Sequence, residues 1–400
     1  MITQEIVKSL ARQTPSKIVM LVLDGVGGLP KPETGKTELE TAHTPNFDKL
    51  ASRGVCGLSE PVGLGITPGS APGHTALFGY DPVAVNIGRG VLEAVGIDFP
   101  IEPDDVLVRG NFCTVDKNGI ITDRRAGRIV SDKSAALCPL LEMKLDDVQI
   151  LTAPVKEHRF VIDFRGPGLR DNVSETDPQQ EGLKPLEAKA LSAGAVKTAN
   201  IVNQFVERAR KILGAKHPAN MVLLRGFSEK PNLPKMEDIY KLKPAAIATY
   251  PMYRGLARLV GMDILSTGTT FADEIKTLKE HYNNYDFFFI HVKKTDAAGE
   301  DGDFDRKVKA IEEIDSVLPE LMNLNPDVII VTGDHSTPAM LKGHSWHPVP
   351  TILCSAYCRP DKVAEFSESA CLQGGLGIFP ATQIMPLAMA NALKLSKYGA

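Results

Sequence analysis

The sequence predicts a doubly wound α/β fold with a mostly parallel sheet and an inserted α+β domain. Three observations carry this. The runs IVMLVLDG (18–25), FFFIHVKKTD (287–296) and VIIVTGDH (328–335) are continuously apolar and rich in β-branched and aromatic residues. Strands buried on both faces of a parallel sheet read this way. Helical patterns lie between them, so strands and helices alternate. The stretch from about 105 to 260 breaks the alternation, with short strand-like pieces and one long helix.

Each element follows from its local pattern. TPNFDKLASRG (44–54) opens on Thr-Pro and closes on Gly, as a short helix does. Residues 106–115, 119–122, 158–164 and 220–225 read as strands of the insert. The pattern after Ser192 places Val196, Ile201, Val202, Phe205, Val206, Ile212 and Leu213 at helical spacing. The Pro/Lys-rich segment 230–244 reads as a loop near a domain connection. Residues 303–324 predict a helix with Val308, Ile311, Ile314, Leu318 and Leu321 on one stripe. PVPTILCS (348–355) is a fourth strand. The expected domains are 1–104 with 262–400, discontinuous, and 105–261 inserted.

Composition narrows the function classes. The chain has 400 residues, 43% of them hydrophobic, with 45 Lys and Arg against 49 Asp and Glu. This balance disfavours disorder and a general nucleic-acid binder, which would be basic. The six cysteines, at 56, 113, 138, 354, 358 and 371, form no C-x-x-C pair, as expected of reduced thiols in a cytoplasmic protein. The opening segment is polar and amphipathic rather than a signal sequence, and no apolar run is long enough for a membrane partner. Oligomeric state is not readable from periodicity.

In open α/β sheets, ligands bind beyond the carboxyl ends of the strands. Asp24, Asp296 and Asp334 are expected there. Clustered carboxylates repel unless a cation neutralises them. His335 follows Asp334, and His344 and His347 come soon after, in TGDHSTPAMLKGHSWHPVP (332–350). Asp and His together suit Zn²⁺ or Mn²⁺ better than Ca²⁺. Two further segments carry chemistry. GLGITPGSAPGHTALFGYDP (63–82) exposes Ser70 at a helix start, with His74 one turn on, and a metal turns a serine into a competent nucleophile. TDRRAGRIVSD (122–132) clusters Arg124, Arg125 and Arg128, whose forked guanidinium groups match phosphate and carboxylate.

In this order, LVLDG, PGSAPGHTALFGYDP and TGDHSTP…GHSWHPVP resemble the alkaline-phosphatase superfamily. Together with RGNFCTVD (109–116), ITDRRAGRI (121–129) and YRGLARLVGM (253–262), they are similar to its cofactor-independent (2,3-bisphosphoglycerate-independent) phosphoglycerate mutases of the archaeal type, over nearly the whole chain. The resemblance implies an alkaline-phosphatase-like sheet and two divalent metal ions, Mn²⁺ first, with Mg²⁺, Zn²⁺ or Co²⁺ as alternatives. It implies Asp24, Ser70, Asp334 and His335 around one ion, and Asp296 and His344 at the other. The family pattern D-x-x-G-H reads Asp296-Ala-Ala-Gly-Glu300 here, so Glu300 stands where a histidine is expected. That makes the second site harder and less zinc-preferring. Asp301 and Asp303 compete as ligands.

The implied activity interconverts 3-phosphoglycerate and 2-phosphoglycerate through a phosphoserine on Ser70, without bisphosphoglycerate. Ser70 is the catalytic residue; His74, Asp123, Arg124, Arg128 and Arg254 bind substrate, Arg254 from the far end of the insert. The insert is expected to retain glycerate so that water does not intercept the phosphoserine. A phosphomonoesterase, a phosphopentomutase-like enzyme or a homoserine-kinase-like phosphotransferase is the alternative. A metal-binding sensor disabled by Glu300 is a non-enzyme reading. A sulfatase would need Cys-x-Pro-x-Arg where the chain has Ser-Ala-Pro-Gly-His.

Overall fold

In a computed structural model, which describes residues 4–85 and 87–399, the apolar run Ile18–Leu23 is buried along its whole length. It lies inside an eight-stranded sheet. The order is Asp263–Leu265, Pro244–Ala248, Phe287–Val292, Ile18–Leu23, Val328–Thr332, Val349–Ser355, Val55–Glu60 and Gly377–Pro380. Only Val349–Ser355 runs antiparallel to its neighbours. The carboxyl ends of Ile18–Leu23, Phe287–Val292 and Val328–Thr332 are therefore adjacent and point the same way.

The helix Phe304–Met322 buries Ile311, Ile314, Leu318 and Leu321 in the core with Val19, Leu21 and Val331. Each such side chain stabilises by about 1.5–3 kcal/mol. The expected stripe errs at one position. Val308 is only half-buried, while Lys307 next to it is fully buried. The reason is polar: the Lys307 ammonium donates to the carbonyls of Gly27 and Thr337, both at 2.9 Å. Asp303 caps this helix by accepting from Arg306 N, and Asp301 pairs with Arg306 at 2.6 Å. Neither joins a metal-donor group, so the two competing ligands are explained by helix architecture.

A second compact unit spans 87–232, and the first comprises the segments on either side of it. The expected limits were 105 and 261. Two elements move them. The helix Arg89–Gly96 packs on the strands Val106–Val115 and Met221–Glu229 and so belongs to the second unit. The strand Pro244–Ala248 pairs with Phe287–Val292 and so belongs to the first. The second unit holds a six-stranded sheet, with Ile121–Asp123, Val106–Val115, Arg159–Arg165, Val148–Lys156 and Met143–Leu145 in sequence and Met221–Glu229 also paired to Val106–Val115. All its pairings are antiparallel. The helix Val196–Leu213 buries Ile201, Val202, Phe205 and Leu213 in this unit's core; Val196 and Ile212, expected on the same face, are exposed. Among the described residues, no helix is long and apolar enough to cross a membrane.

One buried acid gives a stability prediction. Glu274, on the helix Phe271–His281, is 3% exposed, and its Oε2 lacks a hydrogen bond. Burial, with Asp273 adding to it, pushes its carboxyl up to about 9. A raised folded-state value stabilises fully below the unfolded value and is lost as pH rises toward 9. Glu274→Gln should therefore leave stability unchanged near pH 4 and increasingly exceed the wild type between pH 5 and 9, by at most about 1.4 kcal/mol per pH unit. Urea midpoints at pH 5, 7 and 8.5 check this; a constant difference would refute it.

Candidate active site

Asp24 follows directly on the strand Ile18–Leu23, and Asp334 comes two residues beyond Val328–Thr332. Asp296 is not at a strand end as expected. It sits in the first turn of the helix Lys294–Asp301, reached through Lys293. All three carboxylates are fully buried. Ser70 is the first residue of the helix Ser70–Leu77, and its Oγ lies 3.2 Å from His335 Nε2. This helix approaches closely because of Gly73, where a Cβ would lie 2.3 Å from the Asp334 carbonyl oxygen.

Two donor groups form around these side chains. Asp24, Asp334 and His335 offer ligand atoms within 4.8 Å of one another, and so do Asp296, His335 and His344. His335 Nε2 is 3.1 Å from Asp334 Oδ2 and 3.4 Å from Asp24 Oδ1. Asp24 Oδ1 and Asp334 Oδ2 are buried without a hydrogen bond. Burial disfavours charge on His335, yet Asp334, Asp24 and Asp296 push it up to about 9. Burial likewise works against the Asp334 carboxylate, which His335 and His74 hold well below its ordinary value. The field here favours positive charge, and oxygen plus imidazole donors fit a divalent ion. The residues present therefore fit a metal at each group.

The supporting hydrogen bonds fix the donors. Thr337 Oγ1 donates to Asp296 Oδ1 at 2.6 Å and so accepts from His335 Nδ1 at 2.9 Å. That turns His335 Nε2 toward Ser70. His344 Nδ1 donates to the Pro68 carbonyl at 2.9 Å, which leaves Nε2 facing Asp296 Oδ1 at 3.6 Å. The two imidazoles stack with centroids 3.6 Å apart. Such outer partners set tautomer and ring orientation. Glu300 is one turn after Asp296, half-exposed, with Oε1 3.9 Å from His344 Nε2. It borders the second donor group without belonging to it. His347 bonds Ser345 and lies outside both groups.

The substrate residues fall differently. His74 is fully buried, its Nδ1 2.8 Å from the Ser70 carbonyl and 3.1 Å from Asp334 Oδ2. It stands behind Asp334 rather than facing a ligand. Asp123 accepts from Arg125 N and Gly127 N, so both its oxygens shape a turn. Arg124 makes a forked pair with Asp177, at 3.0 and 2.6 Å. Arg128 is exposed on the same turn. Arg254 lies on the helix Pro251–Leu259, in the first unit and not in the insert as expected.

Sequence reasoning missed four side chains. His291 Nε2 donates to Asp24 Oδ2 at 3.1 Å. The Lys293 ammonium is 3.1 Å from Asp24 Oδ2 and 2.5 Å from Asp296 Oδ2, and it donates to Tyr253 Oη at 3.0 Å. Tyr253 stacks on His291 at 3.7 Å. Thr337 links Asp296 to His335, as above. The available signal was a histidine inside FFFIHV: a polar ring in a buried strand demands a partner.

Fold and site together define an α/β protein of the alkaline-phosphatase-like class. Comparison with known proteins narrows this. The profile of a family described as 2,3-bisphosphoglycerate-independent phosphoglycerate mutase matches residues 51–220. Proteins described as probable 2,3-bisphosphoglycerate-independent phosphoglycerate mutases from Thermotoga petrophila and Aquifex aeolicus are 52% and 50% identical, over 99% of this chain and 99% and 100% of theirs. The solved cofactor-independent phosphoglycerate mutase of Thermoplasma acidophilum is similar at TM-score 0.75 and 29% identity, covering 94% of this chain and all of that one. A solved protein from Pyrococcus horikoshii reaches TM-score 0.84 and 30% identity over 97% of this chain and all of that one. The chain belongs to the 2,3-bisphosphoglycerate-independent phosphoglycerate mutases.

Proposed function

We propose that the protein is a metal-dependent isomerase that interconverts 3-phosphoglycerate and 2-phosphoglycerate without bisphosphoglycerate, through a phosphoserine on Ser70. The observation that carries this is Ser70 Oγ beside His335 Nε2, at a helix start bordered by two donor groups. In the first half-reaction the Ser70 Oγ–P bond forms as the bond from phosphorus to the C3 oxygen breaks, and that oxygen leaves protonated. In the second, the C2 hydroxyl of the same glycerate attacks the phosphoserine and Ser70 recovers its proton. Divalent ions, when bound, favour the deprotonated serine and offset charge on the transferred phosphoryl oxygens.

The chain's residues do the remaining work. Asp24, Ser70, Asp334 and His335 are assigned to the first ion; Asp296 and His344, with Glu300 as a third donor, to the second. His291 and Lys293 hold the Asp24 and Asp296 carboxylates in place. The first turn of the helix Ser70–Leu77 presents backbone N–H groups to the phosphoryl group. Arg254 is assigned to the phosphate and Arg128 to the glycerate end, with Asp123 shaping the turn that carries Arg128 and Arg124 anchoring that turn to Asp177. The larger unit acts as the phosphatase-like domain and the inserted unit as the substrate-binding domain. Retention of glycerate separates this reaction from that of a phosphomonoesterase or a homoserine-kinase-like phosphotransferase, which share the serine chemistry. The six free thiols support a reducing, cytoplasmic setting.

Glu300, a carboxylate bordering the second group where the family pattern has a histidine, supports Mn²⁺ as the working metal. Glu300→His is expected to tighten Zn²⁺ relative to Mn²⁺ by about 10-fold or more, read by competitive calorimetry on metal-stripped protein. An unchanged ratio would remove Glu300 from the ligand set. The phosphoserine is tested by quenching the enzyme with phosphate-labelled 3-phosphoglycerate and mapping the label: a tryptic peptide containing Ser70 should carry it, and label elsewhere would overturn the scheme.

A further inference from the structure

We infer that Cys354 and Cys358 form a redox-active dithiol, which a hydroperoxide converts to a reversible disulfide. Both residues belong to the first unit, and the inference stands on that unit alone, whatever the reaction at Ser70.

The backbone brings the two thiols to one acceptor. Cys354 lies near the end of the strand Val349–Ser355. Ser355 Oγ then accepts from Tyr357 N at 3.0 Å and from Cys358 N at 2.9 Å, which turns the chain back on itself. The same hydroxyl donates to Asn391 Oδ1 at 2.7 Å, and Asp361 N donates to the Gly54 carbonyl at 3.2 Å. The turn is thus anchored on both sides. Gly54 allows the close approach, since a Cβ there would lie 2.7 Å from the Leu353 carbonyl oxygen. The neighbouring Arg53 carbonyl then meets both sulfurs. Cys354 Sγ and Cys358 Sγ are each 3.6 Å from its oxygen, and Cys358 Sγ is also 3.2 Å from the Ser355 carbonyl. Two sulfurs held to one atom are neighbours, and a rotamer change at the partly exposed Cys358 closes the gap to bonding range.

Exposure separates this pair from the other thiols. Cys358 sits on a turn whose Ala356, Tyr357 and Arg359 are exposed. Cys354, 8% exposed, lines a cavity of about 580 Å³ together with Arg53, Met322 and Ile329. Hydrogen bonding to Cys371 and burial push the Cys56 thiol up, and both of those residues are fully buried. Burial likewise pushes up Cys113 and Cys138. At Cys354 burial also raises the thiol, with Cys358 adding to it, while Arg53 draws it toward thiolate. The thiolate is the reactive form, and access governs its rate. Cys358 is therefore the thiol that meets the oxidant, and Cys354 the one that resolves the product.

The chemistry balances with hydrogen peroxide as oxidant. The Cys358 thiolate attacks one peroxide oxygen, the O–O bond breaks, and the departing hydroxide takes up the proton that Cys358 gave. This leaves a sulfenic acid on Cys358 and one water. Cys354 Sγ then attacks that sulfur. The S–S bond forms as the S–O bond breaks, and hydroxide leaves with the Cys354 proton as a second water. Two thiols are oxidised and one peroxide is reduced; an external dithiol reverses the change. Ser355 pairs with Val328, so the dithiol lies where the strand Val328–Thr332 begins, at the opposite end from Asp334.

The test treats full-length protein with hydrogen peroxide, unfolds it in N-ethylmaleimide and digests it with trypsin. The fragment Gly343–Lys362 holds Cys354 and Cys358 and no other cysteine, because the Arg359–Pro360 bond resists trypsin. It should become two hydrogens lighter and carry no label, at least about 10-fold faster than Cys56 or Cys371 loses its thiol. Dithiothreitol should restore two labelled thiols. Cys354→Ser should stop at a sulfenic acid on Cys358, trapped by dimedone. Cys358→Ser should leave Cys354 a thiol over the same exposure. Met340, 49% exposed, gauges the oxidant. Sulfoxide at Met340 with both thiols of the fragment intact would overturn the dithiol. So would a disulfide from either cysteine to a different partner, or Cys358 carried to sulfinic acid with no disulfide formed. The wild-type fragment decides by itself, whether or not either variant folds.

Discussion

Ser70→Ala is expected to lower isomerisation by on the order of 10⁵-fold, the scale seen when an enzyme loses the nucleophile of a covalent intermediate. The variant removes only Oγ. The donors Asp24, Asp334 and His335 remain within reach of one another. The helix Ser70–Leu77 keeps its backbone, because His74 bonds the Ser70 carbonyl and not the hydroxyl. Metal binding should therefore fall by no more than about 10-fold, while labelled phosphate no longer becomes covalently attached. Activity above about a tenth of wild type would mean that phosphoryl transfer does not pass through Ser70.

Lys307→Met is expected to cost about 3–5 kcal/mol of folding stability, the scale for removing one partner of a buried ionic set. Lys307 is fully buried and ties the Gly27 carbonyl to the Thr337 carbonyl, with Glu38 Oε1 at 3.9 Å. Those carbonyls lie on the loops that follow Asp24 and His335. Next to them, Glu368 accepts from Gly28 N and from Thr37 Oγ1, both at 2.7 Å. Without the ammonium, the Thr337 carbonyl loses its donor, and the Gly27 carbonyl and the Glu38 carboxylate keep only the backbone N–H groups of Thr337 and Ala339. The loops then loosen, and Asp24 and Asp296 lose register through Gly25 and Thr337. Urea unfolding gives the stability and metal titration gives the site. Lys307→Met with Glu38→Gln should recover part of the loss, since the stranded carboxylate is gone. A single variant as stable as wild type would show that the lysine does not hold these loops.

Lys307 also marks where the sequence is hard to read. The apolar runs at Ile18–Leu23, Phe287–Val292 and Val328–Thr332 are legible because strands buried on both faces tolerate little else. The direction of Val349–Ser355 is not legible, because an apolar run reads the same either way. Asp24, Asp334, His335 and His344 stand out as acids and imidazoles beyond apolar strands. Lys307 and His291 do not, because each is a single polar residue whose partner lies far along the chain: Gly27 for one, Asp24 for the other. Asp123 and Arg124 looked available for a ligand, yet the fold has given each an internal partner. The helix Arg89–Gly96 packs on strands that follow it, which no local pattern announces, and the unit boundary moved with it.

The most direct measurement is a coupled assay for 2-phosphoglycerate from 3-phosphoglycerate. It uses metal-stripped protein with Mn²⁺ restored, no bisphosphoglycerate, and free phosphate followed in parallel. Metal-dependent isomerisation with little phosphate released is the predicted result. Phosphate released in step with substrate lost, or turnover that requires added bisphosphoglycerate, would contradict the account.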